Sequence, residues 1–459
     1  MARARNVKSL RIRSLGSFSQ DEFRYYLGKY RFYKKEGFFK PAILRNRKGM
    51  LLPERIKQNL AVTRQVIFET TEECNLDCVY CTYSKFYYNK DNREKKKINA
   101  GDARKLLDVL LIGRQTDLSQ ELTLSFYGGE PLRNFAFIED IMAYARSVKD
   151  EKLKLKFSMT TNGLLLKKYM DFLVENDFEL SISLDGNEFS NAFRVTKSGH
   201  KPSYGIVSRH IDLLKEKHPD YFRKRVNFLT VRHSRNTLKS IHDYFSSRYD
   251  KIPVMSGVTT TGLLEEHRNE FFETFVKQSR PREENEGYLH ELFRKHPRIT
   301  EISEIIERFG DFVFRQPKQI LKPARNSIDR RKYLPTATCS PFDLRIYMSA
   351  DGGIYPCEHI SRIFEVGSVR ENGIDLDSGR ISRTYNRYFQ KVSKLCSRCY
   401  LSEDCKECVF NTGVETETLS CEFFSDRKKF TSHLAAIFDY FEKDNLLYSR
   451  IREEAYAGK

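Results

Sequence analysis

The chain has 459 residues, 40% of them hydrophobic, and its formal net charge is +18. This length allows a large core in roughly two to three domains. No apolar signal segment opens the chain and no apolar run is long enough to cross a bilayer, which excludes a membrane protein and predicts a cytoplasmic one. The positive charge favours an anionic partner such as an acidic peptide. We find no nucleic-acid-binding motif, which argues against nucleic acid.

The first predicted elements belong to an N-terminal extension, residues 1–62. It contains a weak strand pattern over residues 7–15 and a helical pattern over residues 20–35. Ser19 and Glu22 have the spacing of a capping box, which marks the start of that helix.

Residues 64–260 alternate between strand patterns and helix patterns. Strands are predicted at six segments: 65–70, 122–127, 155–161, 178–184, 225–231 and 252–258. Helices are predicted between them at five segments: 103–111, 137–147, 165–175, 204–217 and 240–249. This alternation predicts a parallel sheet covered by helices, with functional groups at the carboxyl ends of the strands.

The remaining chain divides into three parts. Residues 263–334 are charged and predict a helical bridge, residues 335–425 are rich in cysteine, and residues 426–459 predict a closing amphipathic helix. All ten cysteines fall into two groups along the chain. Because reducing compartments keep thiols free, this clustering indicates metal centres rather than disulfides.

The first cysteine group follows the first strand of the alternating region. Its spacing is C-x3-C-x2-C, formed by Cys74, Cys78 and Cys81. Three thiolates can hold three irons of a 4Fe–4S cluster and leave the fourth iron open to another ligand. Zinc is the alternative, but zinc sites usually combine a C-x2-C pair with a second pair, and no further cysteine or histidine lies nearby. We therefore favour an iron–sulfur cluster.

This cysteine loop resembles that of the radical S-adenosylmethionine (SAM) enzymes, in which an aromatic residue such as Tyr80 precedes the last cysteine. Later segments resemble the same family in the expected order. The resemblance implies a partial, open (β/α)6 barrel over residues 63–262, in which SAM binds the open iron. Cleavage of SAM then yields a 5′-deoxyadenosyl radical that abstracts a substrate hydrogen. It also implies SAM contacts at seven residues: Tyr80, Gly128, Gly129, Glu130, Asn162, Ser183 and Arg194.

Among these residues, Gly129 carries a specific expectation. A β-branched residue there is expected to clash with the methionyl group of SAM and to leave the barrel folded. Asp185, which lies two residues after Ser183, is interpreted as a structural or substrate-facing residue.

The second cysteine group resembles the SPASM domain, a C-terminal extension that holds two auxiliary iron–sulfur clusters. The resemblance implies that the distal cluster is ligated by Cys396, Cys399, Cys405 and Cys421. It implies that the proximal cluster is ligated by Cys339, Cys357 and Cys408. Two residues separate Cys405 from Cys408 where three are usual, and the proximal set has three cysteines where four are common. We therefore expect an open iron or a non-cysteine ligand there, with a zinc ribbon as the alternative.

The resemblance also implies a function. It predicts an oxidoreductase with three 4Fe–4S clusters and SAM that installs a crosslink, expected to be a thioether, in a ribosomally made precursor peptide. Such maturases occur in Bacteroidetes-like bacteria and act on precursors with a leader, for which residues 1–62 are a candidate docking segment. An electron donor such as flavodoxin or ferredoxin is expected. The alternative is an anaerobic sulfatase-maturating enzyme that forms formylglycine. No general base is assigned, and Glu358 with His359 is interpreted as a surface pair.

Overall fold

The computed structural model describes part of the chain, in the following segments: residues 9–12, 16–35, 50–87, 95–112, 114, 121–259, 262–276, 336, 338–402, 405, 407–415, 419–421, 423–432 and 435. Most of the predicted helical bridge and most of the predicted closing helix lie outside these residues. Within them, no helix has the length and apolar character needed to cross a membrane.

The N-terminal part forms a hairpin and a helix. Strands β1 (Ser9–Ile12) and β2 (Gly16–Ser19) pair antiparallel, and helix α1 (Gln20–Lys35) follows at once. The predicted capping box is present, because the Ser19 N–H donates to Glu22 Oε2 (2.7 Å) and the Glu22 N–H donates to Ser19 Oγ (3.2 Å). The predicted helix is therefore confirmed in position and in its starting signal.

A parallel sheet forms the centre of the molecule, as predicted. Its six strands follow in chain order: β3 (Gln65–Thr71), β4 (Glu121–Gly128), β5 (Lys154–Thr161), β6 (Glu179–Ser183), β7 (Val226–Arg232) and β8 (Val254–Gly257). The helices in chain order are α2 (Pro53–Ala61), α3 (Ala100–Ile112), α4 (Phe135–Val148), α5 (Leu166–Glu175), α6 (Tyr204–Lys217), α7 (Pro219–Arg225), α8 (Leu238–Tyr249) and α9 (Arg268–Phe275). Helices α2 and α7 are additions that the sequence patterns did not predict.

The two faces of this sheet differ in chemistry. Successive side chains in a strand point to opposite faces, and on β3 the fully buried Val66 and Phe68 face the helices. Polar side chains line part of the other face: Gln65 donates to Ser125 Oγ (2.6 Å), whose hydroxyl in turn pairs with that of Ser158 (2.6 Å). Ile67 on the same face belongs to a small apolar cluster. The inner face of the open barrel thus combines hydrogen-bonding side chains with apolar ones.

The cysteine-rich region continues the same sheet. Strand β9 (Arg345–Met348) pairs parallel with β3, and β10 (Gly353–Tyr355), β11 (Gly367–Arg370) and β12 (Gly373–Asp375) add antiparallel strands to give ten in all. Backbone hydrogen bonds therefore connect the barrel directly to the region that holds the second cysteine group.

Helix α10 (Ser378–Cys396) anchors this region. Its buried side chains recur at helical spacing: Ile381, Ser382, Tyr385, Tyr388, Phe389 and Val392. The segment before α2 is fastened to α10, since Ser382 Oγ donates to the Leu51 carbonyl (2.6 Å) and Asn386 Oδ1 accepts from the Leu51 N–H (2.7 Å). Part of the N-terminal extension is thus packed against the C-terminal region.

Candidate active site

The first cysteine loop lies at the carboxyl end of β3. Two of its backbone N–H groups donate to the loop after β6, from Asp77 to the Val195 carbonyl (2.8 Å) and from Val79 to the Phe193 carbonyl (3.0 Å). Hydrogen bonds to a distant strand end fix the path of the loop, so the positions of its cysteines depend on the assembled barrel.

A second set of backbone contacts joins the cysteine loop to the end of β4. The Gly129 N–H donates to the Thr71 carbonyl (2.9 Å), and the Glu130 N–H donates to the Glu73 carbonyl (2.8 Å). A β-carbon added at Gly129 would lie 2.1 Å from the Glu73 oxygen, and one at Gly128, where φ is +128°, would lie 2.4 Å from the Thr71 oxygen. Glycine is required at both positions because the end of β4 and the cysteine loop approach each other so closely.

This contact adds a second constraint to the expectation for Gly129. A larger residue there meets the Glu73 carbonyl of the cysteine loop, so it clashes within the protein whether or not SAM is bound. The cause is the close packing of two strand ends, which a sequence motif does not reveal. The expected clash with SAM stays a prediction.

The side chain of Glu130 forms hydrogen bonds within the protein. Its side chain is fully buried and accepts hydrogen bonds from the Asn162 N–H (2.8 Å), the Thr161 hydroxyl (2.8 Å) and the Leu132 N–H (3.2 Å). Burial raises the pKa of Glu130 to about 7 although these donors favour the charged form. The carboxylate ties the end of β4 to the end of β5.

Asn162, at the end of β5, contacts the first cysteine. Its Nδ2 lies 3.6 Å from Cys74 Sγ and donates to Asn75 Oδ1 at 2.7 Å. The Leu76 N–H also points at Cys74 Sγ, at 3.4 Å. Donors directed at a sulfur stabilise a thiolate and tune any cluster that the sulfur ligates.

Arg194 makes the equivalent contact with the second cysteine. Its Nη1 lies 3.9 Å from Cys78 Sγ. Burial raises the pKa of the Cys78 thiol to about 12, and the negative charges of Cys81 and Cys74 oppose its ionisation further. Such a thiol becomes a thiolate only when a cation replaces its proton. Three partly buried, free cysteines with sulfur-directed donors fit a cluster with three thiolate ligands.

Asp185 is the centre of a buried polar network behind this loop. Its carboxylate accepts from the Tyr80 hydroxyl, from Arg194 Nε (3.1 Å) and from the Val231 N–H (3.0 Å), and His233 Nε2 lies 3.6 Å away. Burial alone would raise the pKa of Asp185, but the Arg194 charge and these hydrogen bonds hold it below its ordinary value. Asp185 is thus structural, one of the two roles expected for it.

The network includes one residue that the sequence analysis missed. His233 follows β7, is fully buried, and stacks on the Tyr80 ring at 5.7 Å between centroids. The signal available was its place just after a predicted strand end, where functional groups were expected. Ser183 is the least connected of the predicted residues: it ends β6 half-buried, and its hydroxyl makes no hydrogen bond to the others among the described residues.

The C-terminal cysteines separate into two sets in space. One cavity is lined by Cys396, Cys399, Cys405 and Cys421. These are the four cysteines predicted for the distal cluster, and the chain brings them to one place. Four thiols around a cavity have the donor chemistry of an iron–sulfur site and equally of a zinc site.

The other three cysteines lie outside this cavity. Thr338, next to Cys339, accepts a hydrogen bond from the Val409 N–H (2.7 Å), next to Cys408, and Cys408 packs against the apolar cluster that contains Tyr385 of α10. The nearby Cys408, Cys339 and Cys357 add to the effect of burial in raising the pKa of Tyr385. The assignment of these three cysteines to a proximal cluster stays a prediction.

Non-cysteine donors lie beside Cys357. Cys357, Glu358 and His359 each bring one ligand atom within 4.8 Å of the others. Glu358 pairs with Arg345 (2.7 Å) and with His359 (3.2 Å). The expected pair is therefore present, with His359 70% exposed, but the side chain of Glu358 is only 9% exposed. Burial raises the pKa of Glu358, but the His359 hydrogen bond and the charges of His359 and Arg345 outweigh it and hold the pKa at about 2.

Residues 357–362 run along the inner face of the barrel. Glu358 contacts Arg345 at the start of β9, Ile360 packs beside the inner-face residue Ile67, and Arg362 Nη2 pairs with the buried Glu69 near the end of β3 (2.5 Å). The segment after the proximal cysteine Cys357 thus lines the barrel and reaches its carboxyl end.

A parallel sheet with three cysteines at the end of its first strand is the arrangement predicted for a radical SAM domain. Residues 68–274 match the model of the Radical SAM superfamily, so this part of the chain is a radical SAM domain, as predicted. Such a domain implies a 4Fe–4S cluster and SAM.

Among curated proteins, the chain is 33% identical over 141 residues to an uncharacterized protein of Methanocaldococcus jannaschii, which is 30% of this chain and 44% of that protein. It is 24% identical over 342 residues to a cysteine-type anaerobic sulfatase-maturating enzyme of Clostridium perfringens, which is 72% of this chain and 85% of that enzyme. A Clostridium novyi enzyme of the same description matches over 48% of its length. The chain thus spans about half of two of these relatives and most of the third.

Among solved structures, the fold is similar to that of native anSMEcpe with bound AdoMet and Cp18Cys peptide. The TM-score is 0.55 at 18% sequence identity, over 86% of this chain and 99% of that one. This likeness confirms the predicted fold class.

Proposed function

We propose that this chain cleaves SAM reductively and installs a crosslink, most simply a thioether, in a ribosomally made precursor peptide. The observation that carries the proposal is the path of residues 357–362 along the inner face of the barrel. It connects the three-cysteine proximal set to Glu69, and a β-carbon at Gly128 would lie 3.1 Å from Glu69 Cγ. These contacts support a candidate SAM site and a candidate proximal cluster on the same face of the sheet.

In this proposal, Cys74, Cys78 and Cys81 hold the first cluster, and the ends of β4, β5 and β6 hold SAM. When bound, the cluster and SAM together supply the one-electron chemistry that removes a hydrogen atom from the substrate. The role of the protein is to orient the bound groups and to exclude water from them. Asn162 and Arg194 direct hydrogen bonds at two sulfurs, and the buried Asp185 network holds Arg194 in place.

Closing a thioether removes two hydrogens from the peptide. One leaves as a hydrogen atom, and the other leaves the cysteine thiol as a proton, with one electron to be accepted. A proximal cluster held by Cys339, Cys357 and Cys408 would have a position free for the substrate sulfur and would supply an acceptor for that electron. The proposal also includes the distal cluster, a reduced flavodoxin or ferredoxin as electron source, and a leader docked on residues 1–62.

Formylglycine formation on a sulfatase is the second candidate. It is favoured by the match to the Clostridium perfringens sulfatase-maturating enzyme, which extends over 85% of that enzyme. Both candidates begin with reductive cleavage of SAM and removal of a hydrogen atom from the substrate, and they differ in the product.

Mass spectrometry of the product decides between the two. The anaerobically reconstituted chain is incubated with SAM, a reductant and either a cysteine-containing precursor from a neighbouring small open reading frame or a sulfatase peptide. We expect a loss of two hydrogens per crosslink on the precursor. Conversion of cysteine to formylglycine on the sulfatase peptide alone would establish the second candidate instead.

Two variants test which cysteine set is needed for crosslinking and which for SAM cleavage. Cys357→Ala should abolish crosslinking and retain SAM cleavage that is no longer coupled to product, because it damages only the proximal set. Cys78→Ala should abolish both. Equal crosslinking by Cys357→Ala and the unchanged chain would remove the proximal set from the proposal.

A further inference from the structure

The side chain of Tyr385 has a buried hydroxyl that lacks a hydrogen-bond partner among the described residues. The residue is 1% exposed, and its ring packs edge-on against Phe389 (5.9 Å) and Phe410 (5.5 Å). Its hydroxyl oxygen makes no hydrogen bond among the described residues. Leaving a buried hydroxyl unpaired costs about 1–3 kcal/mol, so this position calls for a partner that a bound group would supply.

The proximal cysteines lie on the side of Tyr385 that faces Phe410. Cys408 packs against the apolar cluster that contains Tyr385, and Phe410, whose ring contacts the Tyr385 ring (5.5 Å), lies two residues after Cys408. Burial raises the pKa of Tyr385, and the nearby Cys408, Cys339 and Cys357 raise it further. The hydroxyl is thus buried beside the set predicted to hold the proximal cluster.

We propose that the Tyr385 hydroxyl donates a hydrogen bond to a sulfur of the proximal auxiliary cluster and raises its reduction potential. The inference rests on the auxiliary-cluster part of the proposed function. A donor at a cluster sulfur stabilises the reduced, more negative state more than the oxidised state. The hydroxyl is proposed as a donor because it is buried and makes no hydrogen bond among the described residues. A higher potential makes the cluster a better acceptor for the substrate electron.

Helix α10 offers a matched control. Tyr388 lies three residues further along the helix, is 4% exposed, and also packs against Phe410 (6.1 Å). Its hydroxyl pairs with Glu415 and not with cysteines. Tyr388→Phe therefore makes the same chemical change at a similar depth without altering the environment of the proximal set.

The test measures each cluster in the full-length, reconstituted holoprotein without substrate. Tyr385→Phe should keep the full iron content, and at a fixed potential the ratio of reduced to oxidised proximal cluster should fall about tenfold, which is about 59 mV for one electron. Electron–nuclear double resonance should lose one D2O-exchangeable proton coupling at that cluster. The other two clusters, and all three in Tyr388→Phe, should be unchanged.

Three outcomes would overturn the inference. The first is an unchanged potential and an unchanged proton coupling in Tyr385→Phe. The second is loss of the proximal iron in that variant, as in Cys357→Ala, which would make the hydroxyl a ligand. The third is absence of iron from the proximal set of the unchanged chain. A shifted potential in an enzyme that modifies neither test peptide would leave this inference standing and remove the proposed function.

Discussion

The two cysteine regions of this chain are built in different ways. The first keeps Cys74, Cys78 and Cys81 in one loop and supports them from outside, through hydrogen bonds from strand ends and the buried Asp185 network. The second gathers seven cysteines from residues 339 to 421, by means of α10 and the strands that extend the barrel sheet.

This difference teaches where each site is vulnerable. The first region has ligands close in sequence, so its geometry fails when the strand ends that hold the loop are disturbed. The second has ligands far apart, so its geometry fails when a single long-range contact is lost. The following variants test this contrast.

The largest effect is expected from removing one region's ligands. Replacing Cys74, Cys78 and Cys81 by Ala should remove about one third of the iron and all SAM cleavage, because the proposed function has three clusters with equal iron. Replacing Cys396 and Cys399 by Ala should remove iron and leave SAM cleavage. Iron analysis and chromatography of 5′-deoxyadenosine measure both. Zinc in the second region, with iron only in the first, would show that the two regions differ in metal as well.

Next in size is the buried charge that supports the first region. Asp185→Asn leaves the buried Arg194 without its carboxylate, and loss of one partner of a buried pair costs about 3–5 kcal/mol. Asp212→Asn is the control, because the Asp212–Arg248 pair is 43% and 40% exposed and should cost less than about 1 kcal/mol. Urea unfolding of both variants gives the free energies. Similar losses in both would mean that the network does not stabilise the loop.

The third prediction concerns pH and Glu130. Its pKa is about 7 in the folded chain against an ordinary 4.5, so the folded chain binds the extra proton between these values. The resulting stabilisation is complete below pH 4.5 and is lost as the pH rises through 7, a change of about 3 kcal/mol.

Glu130→Gln should therefore flatten the dependence of unfolding free energy on pH in this window. Glu121→Gln, at the exposed start of the same strand, is the control and should keep the slope of the unchanged chain. A slope that survives in Glu130→Gln would assign the titration to another group.

The smallest effect is expected at the glycine that lets two strand ends meet. Gly129→Ala forces the cysteine loop away from β4, with an overpacking cost of about 1–3 kcal/mol and weaker retention of the first cluster's iron. Gly205→Ala is the control, because a β-carbon there has no atom within 4 Å. Thermal unfolding and iron content report both. Normal iron retention in Gly129→Ala would show that the loop tolerates displacement.

Much of the barrel was predictable from sequence because its signals are local. The six parallel strands follow from alternation of strand and helix patterns, and the helix at Gln20–Lys35 follows from its capping box. The helix α10 was missed, since its pattern lies among cysteines that dominated the interpretation of that region. His233 was missed because a single histidine after a strand has no spacing that marks it.

The sequence by itself determined which residues can bind metal and in what order the barrel strands follow. Spacing within a loop and periodicity within a strand are short-range properties that side-chain chemistry expresses directly. Only the tertiary structure decided that Asp185 joins Tyr80 to Arg194, that Gly129 is packed against Glu73, and that residues 357–362 line the barrel. These contacts join segments far apart in the chain, and their positions depend on burial and on the register of whole strands.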